Sequence, residues 1–110
     1  MTQLSFTADS AAARHILDAP SIRRRVEPYL YDDGIDWRGL IAEAEEMSGG
    51  ESLLVRLAHD LSEAGSTAAV WEIPRRLDLR NFERVLEALT IASTGLPAEA
   101  VRTLTLTKAA

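Results

Sequence analysis

The chain has 110 residues, of which 46% are hydrophobic and 26% charged, and its net charge at pH 7 is −5. This composition is typical of one globular domain and argues against disorder over most of the length. The absence of cysteine excludes disulfides, thiolate zinc sites and cysteine nucleophiles, and no apolar run approaches the roughly 20 residues that span a bilayer. We therefore expect a single cytoplasmic domain over residues 1–110, with neither a secretory leader nor a membrane anchor.

Acidic residues are concentrated in one part of the chain. Residues 27–51 hold eight aspartates and glutamates but one arginine, Arg38, whereas residues 1–26 carry a net positive charge. An acidic block of this kind repels phosphate and usually supports solubility. Because acidic and arginine-rich faces can also pair between copies, we expect either a protein partner or a homodimer.

The first half of the chain predicts three short helices. The first spans about Asp9 to Asp18, and the second spans Ser21 to Glu27, where Pro28 disfavours further helical geometry. A turn is expected at residues 32–34. Asp36 suits the N-cap of the third helix, because its carboxylate can accept from a free amide of the first turn. The apolar stripe of this third helix consists of Trp37, Leu40, Ile41, Ala44 and Met47.

The second half predicts two longer helices and two β-prone segments. A fourth helix runs from Glu51 to Ala64, with Gly65 as its left-handed C-cap. Residues 67–73 alternate in polarity and predict either a short strand or the start of a short helix. The fifth helix runs from Asp78 to Thr94, and the β-branched segment from Val101 to Thr107 favours a strand.

Together these elements predict a mainly α fold, a compact bundle of about five short helices with a small C-terminal β element. The core should gather the large apolar side chains of the helical stripes. The predicted core residues are Ile16, Leu17, Trp37, Leu40, Ile41, Leu53, Leu54, Leu57, Leu61, Phe82, Val85, Leu86 and Leu89.

The segment Met47–Glu51 resembles the signature loop of ABC-type and chromosome-structural ATPases, which reads Leu-Ser-Gly-Gly followed by a polar residue. In that family the loop contacts the γ-phosphate of a nucleotide held by a partner's P-loop. No G-x-x-x-x-G-K-[ST] motif occurs in this chain. Ser48 and Glu51 also fit a capping box, in which each side chain satisfies a backbone amide at the start of the fourth helix. We therefore predict no nucleotide cofactor.

The segment from Glu72 to Leu96 resembles the second and third helices of a winged helix-turn-helix in its apolar spacing. The resemblance implies a winged-helix-like core over residues 51–107 (48–107 with the preceding loop), with part of the wing at residues 101–107. Residues 1–47 would then be an N-terminal helical extension. In that family the third helix enters the major groove of DNA.

The same resemblance implies five DNA-contacting residues. Arg80, Asn81 and Arg84 would read base edges, since arginine suits guanine and asparagine suits adenine. Arg75 and Arg76 would contact phosphates. The net charge of −5 opposes this alternative, because affinity for DNA depends mainly on neutralising phosphates.

No combination of residues indicates catalysis. His15 and His59 are the only histidines, and without cysteine they cannot complete a zinc site on their own. No Gly-x-Ser-x-Gly elbow occurs. Glu43, Glu45 and Glu46 are expected to be too exposed to acquire the shifted pKa that acid–base catalysis needs. We predict a non-enzymatic protein without metal or cofactor, with His59 on the solvated face of the fourth helix.

Trp71 is the predicted contact residue. It lies beside Pro74 in a connecting segment, and an exposed tryptophan is a frequent hot spot in protein interfaces. With Arg75 and Arg76 it forms the predicted partner-binding site. The favoured function is a non-catalytic small protein-interaction module, such as an adaptor, a regulatory protein or an assembly factor. The alternative is a winged helix-turn-helix DNA-binding transcription regulator.

Overall fold

The computed structural model describes the backbone of residues 2–109 and the side chains of residues 8–103. This part of the chain is mainly α, with one small antiparallel hairpin, as the sequence predicts. The helices are α1 (Thr2–Leu17), α2 (Arg23–Val26), α3 (Trp37–Ala44), α4 (Gly49–Glu63), α5 (Glu72–Arg76), α6 (Leu79–Thr94) and α7 (Ala98–Ala109). The hairpin pairs β1 (Leu30–Tyr31) with β2 (Gly34–Ile35), and a 3₁₀ turn (Glu27–Tyr29) precedes it.

Helix α1 is the centre of the core. It packs against both α4 and α6, and these two contacts are the most extensive in the fold. Because α1 contributes small as well as branched side chains, its neighbours can approach closely at the alanines. The buried residues of the three helices form one cluster, which contains Ala12, Ala13, Ile16, Leu17, Leu54, Val55, Ala58, Val85, Ala88 and Ile91.

Polar caps fix where three of the helices begin. Asp36 accepts from the backbone amide of Gly39 at 3.1 Å, and Asp78 accepts from the amide of Asn81 at 2.8 Å. At the start of α4, the Ser48 hydroxyl and the Glu51 carboxylate exchange bonds with each other's backbone amides at 3.3 and 3.2 Å. The caps predicted at Asp36 and at Ser48 with Glu51 are confirmed, and Asp78 caps α6 in the same way.

The predicted C-cap at Gly65 is wrong by one residue. Ala64 adopts the left-handed conformation, with φ 54° and ψ 40°. Gly65 is needed for space instead, because a Cβ there would lie 2.8 Å from Oδ1 of Asp60 and 3.0 Å from the His59 ring. The carboxylate of Asp60 in turn accepts from the backbone amides of Thr67 and Ala68 at 2.9 and 2.8 Å.

The predicted C-terminal strand is also wrong, because residues 98–109 form α7. Val101 is fully buried against the core, and the Thr103 hydroxyl donates to the carbonyl of Glu99 at 3.0 Å, so helical packing overrides β propensity. Residues 67–71 are a loop that leads into α5 at Glu72, so the strand predicted as one alternative for residues 67–73 is wrong and the other, the start of a short helix, is correct. The small β element is the hairpin at residues 30–35, and residues 51–107 contain no strand and therefore no wing.

The core prediction is correct for the central helices and wrong for part of α6. Six of the predicted residues are buried, and Trp37, Ile41, Leu57 and Leu61 pack half-buried against them. Leu86 and Leu89 instead keep 43% and 46% of their surface exposed. Their exposure defines the candidate site.

Candidate interaction surface

Helix α6 has two neighbouring apolar strips, and one of them faces the core. Val85, Ala88 and Ile91 are buried against the rest of the bundle. Residues three and four apart share a helix face, so the apolar residues of α6 outside this buried set lie together on a second strip. The side chains of this second strip are larger, and they are exposed.

The second strip, the α6 stripe, consists of Leu79, Phe82, Leu86 and Leu89. Leu79 is 72% exposed, Phe82 is half-buried, and the other two are nearly half exposed. The helix that carries them is about 22 Å long at 1.5 Å per residue. A contiguous apolar surface of this kind commonly marks an interaction site.

The polar side of α6 is held by α1 and α7. The His15 ring lies 2.7 Å through Nε2 from the Glu87 carboxylate, and both side chains are largely buried. The Arg84 guanidinium donates to the backbone oxygen of His15 at 2.8 Å, and its burial lowers the pKa of Arg84. Arg102 of α7 lies 3.9 Å from Glu87. These contacts fix the rotation of α6 and so decide which strip faces outward.

Of the three residues predicted to read DNA bases, Arg80 is exposed. Arg84 is not free to contact DNA, because its guanidinium donates to the backbone oxygen of His15 in α1. The backbone amide of Asn81 donates to the Asp78 cap. Arg80 and Arg84 line a shallow cleft of about 250 Å³ together with Arg102, and Glu83 and Glu87 in the same cleft offset part of this positive charge.

The predicted partner-binding residues lie together on and beside α5. Trp71 is 59% exposed, and the Arg76 guanidinium lies 5.8 Å from the centre of its ring, a cation–π contact. Arg76 also pairs with Glu72 at 3.1 Å, while Arg75 is exposed. The predicted exposure of Trp71 is confirmed, and its role in binding stays a prediction.

The glycines of the Ser-Gly-Gly-Glu segment serve packing between α4 and α5. A Cβ on Gly50 would lie 2.6 Å from the backbone oxygen of Arg76, and one on Gly49 would meet the Arg76 guanidinium at 2.7 Å. Together with the capping box at Ser48 and Glu51, this close approach accounts for the motif without a nucleotide.

An open groove of about 670 Å³ lies between α1, α2 and the start of α7. His15, Arg14 and Asp18 contribute polar groups to it, and His15 is already bonded to Glu87 on its Nε2 side. The other histidine, His59, packs edge-on against Trp37 with ring centres 5.3 Å apart. The prediction of a solvated His59 is therefore wrong, since the ring covers the tryptophan.

Comparison with known proteins gives no assignment: no family model matches the chain, and no curated protein or solved structure is significantly similar to it. Within residues 2–109, none of the helices combines the length and apolar character that a membrane crossing requires. The described side chains hold no group of three or more metal-binding residues.

Proposed function

We propose that this chain is a non-catalytic protein-interaction module that binds its partner through the α6 stripe. The observation that carries the proposal is the exposure of Leu79, Leu86 and Leu89 along one side of a capped, well-anchored helix. Burial of such leucines in an interface would remove apolar surface from water, which is the main driving force of protein association.

The fixed position of α6 supports this role. Contacts from His15 to Glu87 and from Arg84 to α1 hold the helix in one rotation, so the stripe is preorganised before binding. A rigid surface loses less conformational entropy when a partner docks. Trp71, with Arg75 and Arg76, is proposed as a second contact region on the neighbouring α5.

Site-specific photo-crosslinking in cells tests the proposal. A photoreactive amino acid at position 89 should give covalent adducts with a protein, and a second substitution, Leu86→Glu, should remove them. The matched control places the same probe at Tyr31, which is 55% exposed but lies on the hairpin. Adducts at position 31 alone, or at neither position, would contradict the proposal.

A further inference from the structure

The spacing of the α6 stripe is that of a coiled-coil seam. Leu79, Phe82, Leu86, Leu89 and Ser93 follow one another at intervals of three, four, three and four residues. A seam with this period packs best against a second helix, because the side chains of each helix fit into the holes between the side chains of the other. We therefore expect the partner that covers the stripe to be a helix.

We propose that this helix is α6 of a second copy, running antiparallel, so that the chain forms a weak homodimer; the inference rests on the proposed function of the stripe. In the central register, Leu86 faces Leu89 of the second copy, and Phe82 faces its Ser93. The largest side chain of the seam thus lies opposite the smallest, which keeps the layers at similar total volume. Because the dimer is twofold symmetric, each of these two pairs occurs twice along the seam.

The charges beside the seam favour the antiparallel direction. Glu83 is exposed at the edge of the stripe. In an antiparallel pair the flanking position opposite Glu83 is occupied by Thr90 of the second copy, which is uncharged. A parallel pair would instead set Asp78 beside Glu83 of the second copy, and like charges at flanking positions disfavour pairing.

The size of the stripe and the charge of the chain predict a weak dimer. Partly exposed leucines over about 15 Å of helix offer a few hundred Å² of apolar surface, whereas stable interfaces bury roughly 800 Å² on each partner. Each copy also carries a net charge of −5. Added salt should therefore tighten the dimer, because it screens repulsion between the copies without weakening apolar contact.

Sedimentation velocity over a concentration series tests the pairing. Wild-type protein should dimerise reversibly by about 500 µM, in the sub-millimolar range of weak association, and raising NaCl should lower its Kd. Leu86→Glu should raise the Kd at least about ten-fold, since it would bury a charge in the seam. Tyr31→Glu on the hairpin adds the same charge at a residue of comparable exposure, 55% against 43% for Leu86, and should change the Kd much less.

Circular dichroism melts must show that each variant is folded. If Leu86→Glu unfolds, Leu89→Glu replaces it, because Leu89 is 46% exposed and faces Leu86 of the second copy in the proposed register. A wild-type monomer at 500 µM, or a Kd that neither stripe variant changes, would overturn the inference. A dimer that salt dissociates would also overturn it, since that is the behaviour of a pair held by the acidic and arginine-rich regions.

The orientation has its own test, because the chain has no cysteine of its own. In the antiparallel register the two copies of residue 93 are about 16 Å apart along the helix axis. Under mild oxidation, Ser93→Cys alone should stay unlinked, whereas a mixture with Phe82→Cys should form a mixed disulfide. Rapid linking of Ser93→Cys to itself would show a parallel pair and contradict the proposed direction.

Failure of this inference is distinguishable from failure of the proposed function. A chain that is monomeric at 500 µM but still gives adducts from position 89 to a different protein keeps its interaction function and loses the homodimer. A chain that neither self-associates nor gives such adducts loses both.

Discussion

Arg56 of α4 and Glu72 of α5 are joined by two charge-assisted hydrogen bonds, from Nη1 to Oε2 at 2.9 Å and from Nη2 to Oε1 at 3.0 Å. Glu72 is buried, and its Oε2 also accepts from the backbone amide of Ala69 at 3.0 Å. The hydrogen bonds from Arg56 and Ala69 lower the pKa of Glu72 from 4.5 to about 2. This pair attaches the segment that carries Trp71 to the helical core.

The Arg56–Glu72 pair makes stability depend on pH. Because the pKa of Glu72 is lower in the folded state than in the unfolded state, its contribution is fully present above pH 4.5 and is lost as the pH falls towards 2. We expect Glu72→Gln to be less stable at pH 7 and to lose less stability between pH 4.5 and pH 2 than the wild type. Urea unfolding at a series of pH values measures this, with exposed Glu45→Gln as the control. Parallel pH curves for wild type and Glu72→Gln would refute it.

Replacing Ala64 with glycine should stabilise the folded chain. A left-handed conformation costs a non-glycine residue about 1–2 kcal/mol, and Ala64 has φ 54°. Ala64→Gly should therefore raise the free energy of unfolding by about 0.5–1 kcal/mol, after the added entropy of glycine in the unfolded chain. Ala68→Gly serves as the control, because Ala68 has no positive φ and should lose stability. The prediction fails if both glycine variants are destabilised to the same extent.

The two tryptophans should differ in what they contribute to folding. Trp37 packs half-buried against the core and the His59 ring, so Trp37→Ala should cost about 3 kcal/mol or more. Trp71 is exposed, and Trp71→Ala should cost less than about 1 kcal/mol. Chemical denaturation of the two variants gives the comparison. Unfolding of Trp71→Ala would show that this tryptophan belongs to the core.

His15 and Glu87 should be energetically coupled. Their side chains meet at 2.7 Å in the largely buried contact between α1 and α6. A double-mutant cycle of His15→Ala and Glu87→Ala should give an interaction energy of about 0.5–3 kcal/mol, the range for paired groups in one network. The cycle of His15→Ala with exposed Glu99→Ala should be additive. Additivity in both cycles would mean that the contact does not fix the rotation of α6.

Local signals in the sequence predicted the starts of α3, α4 and α6, because a cap acts over a few residues: Asp36, Ser48 and Asp78 each satisfy amides within their own first turn. The starts of α1 and α2 were predicted wrongly, since these helices begin at Thr2 and Arg23 and not at Asp9 and Ser21. Gly65 shows the limit of such signals. The left-handed residue is Ala64. Glycine is required at 65 for a different reason, the close approach of the Asp60 and His59 side chains, which no local pattern reveals.

The candidate site was missed because α6 is apolar over two adjacent strips. Sequence reasoning assigned the larger side chains, Leu86 and Leu89, to the core, yet the core strip contains Ala88, which lies against α1 and its alanines. Hydrophobic spacing shows that a helix has an apolar face but not which of two strips a neighbouring helix covers. The spacing of Leu79, Phe82, Leu86 and Leu89 indicates a second apolar strip, but not that this strip stays exposed.

Residue-resolved NMR on dilution tests the central claim that α6 presents an associating surface. Amide ¹H–¹⁵N spectra recorded between about 20 and 500 µM span the range expected for a small, weak interface. We predict concentration-dependent shifts confined to α6, largest around Leu86 and Leu89, with the hairpin at residues 30–35 unchanged. Shifts that cluster on the hairpin or the acidic segment while α6 stays constant would contradict the account.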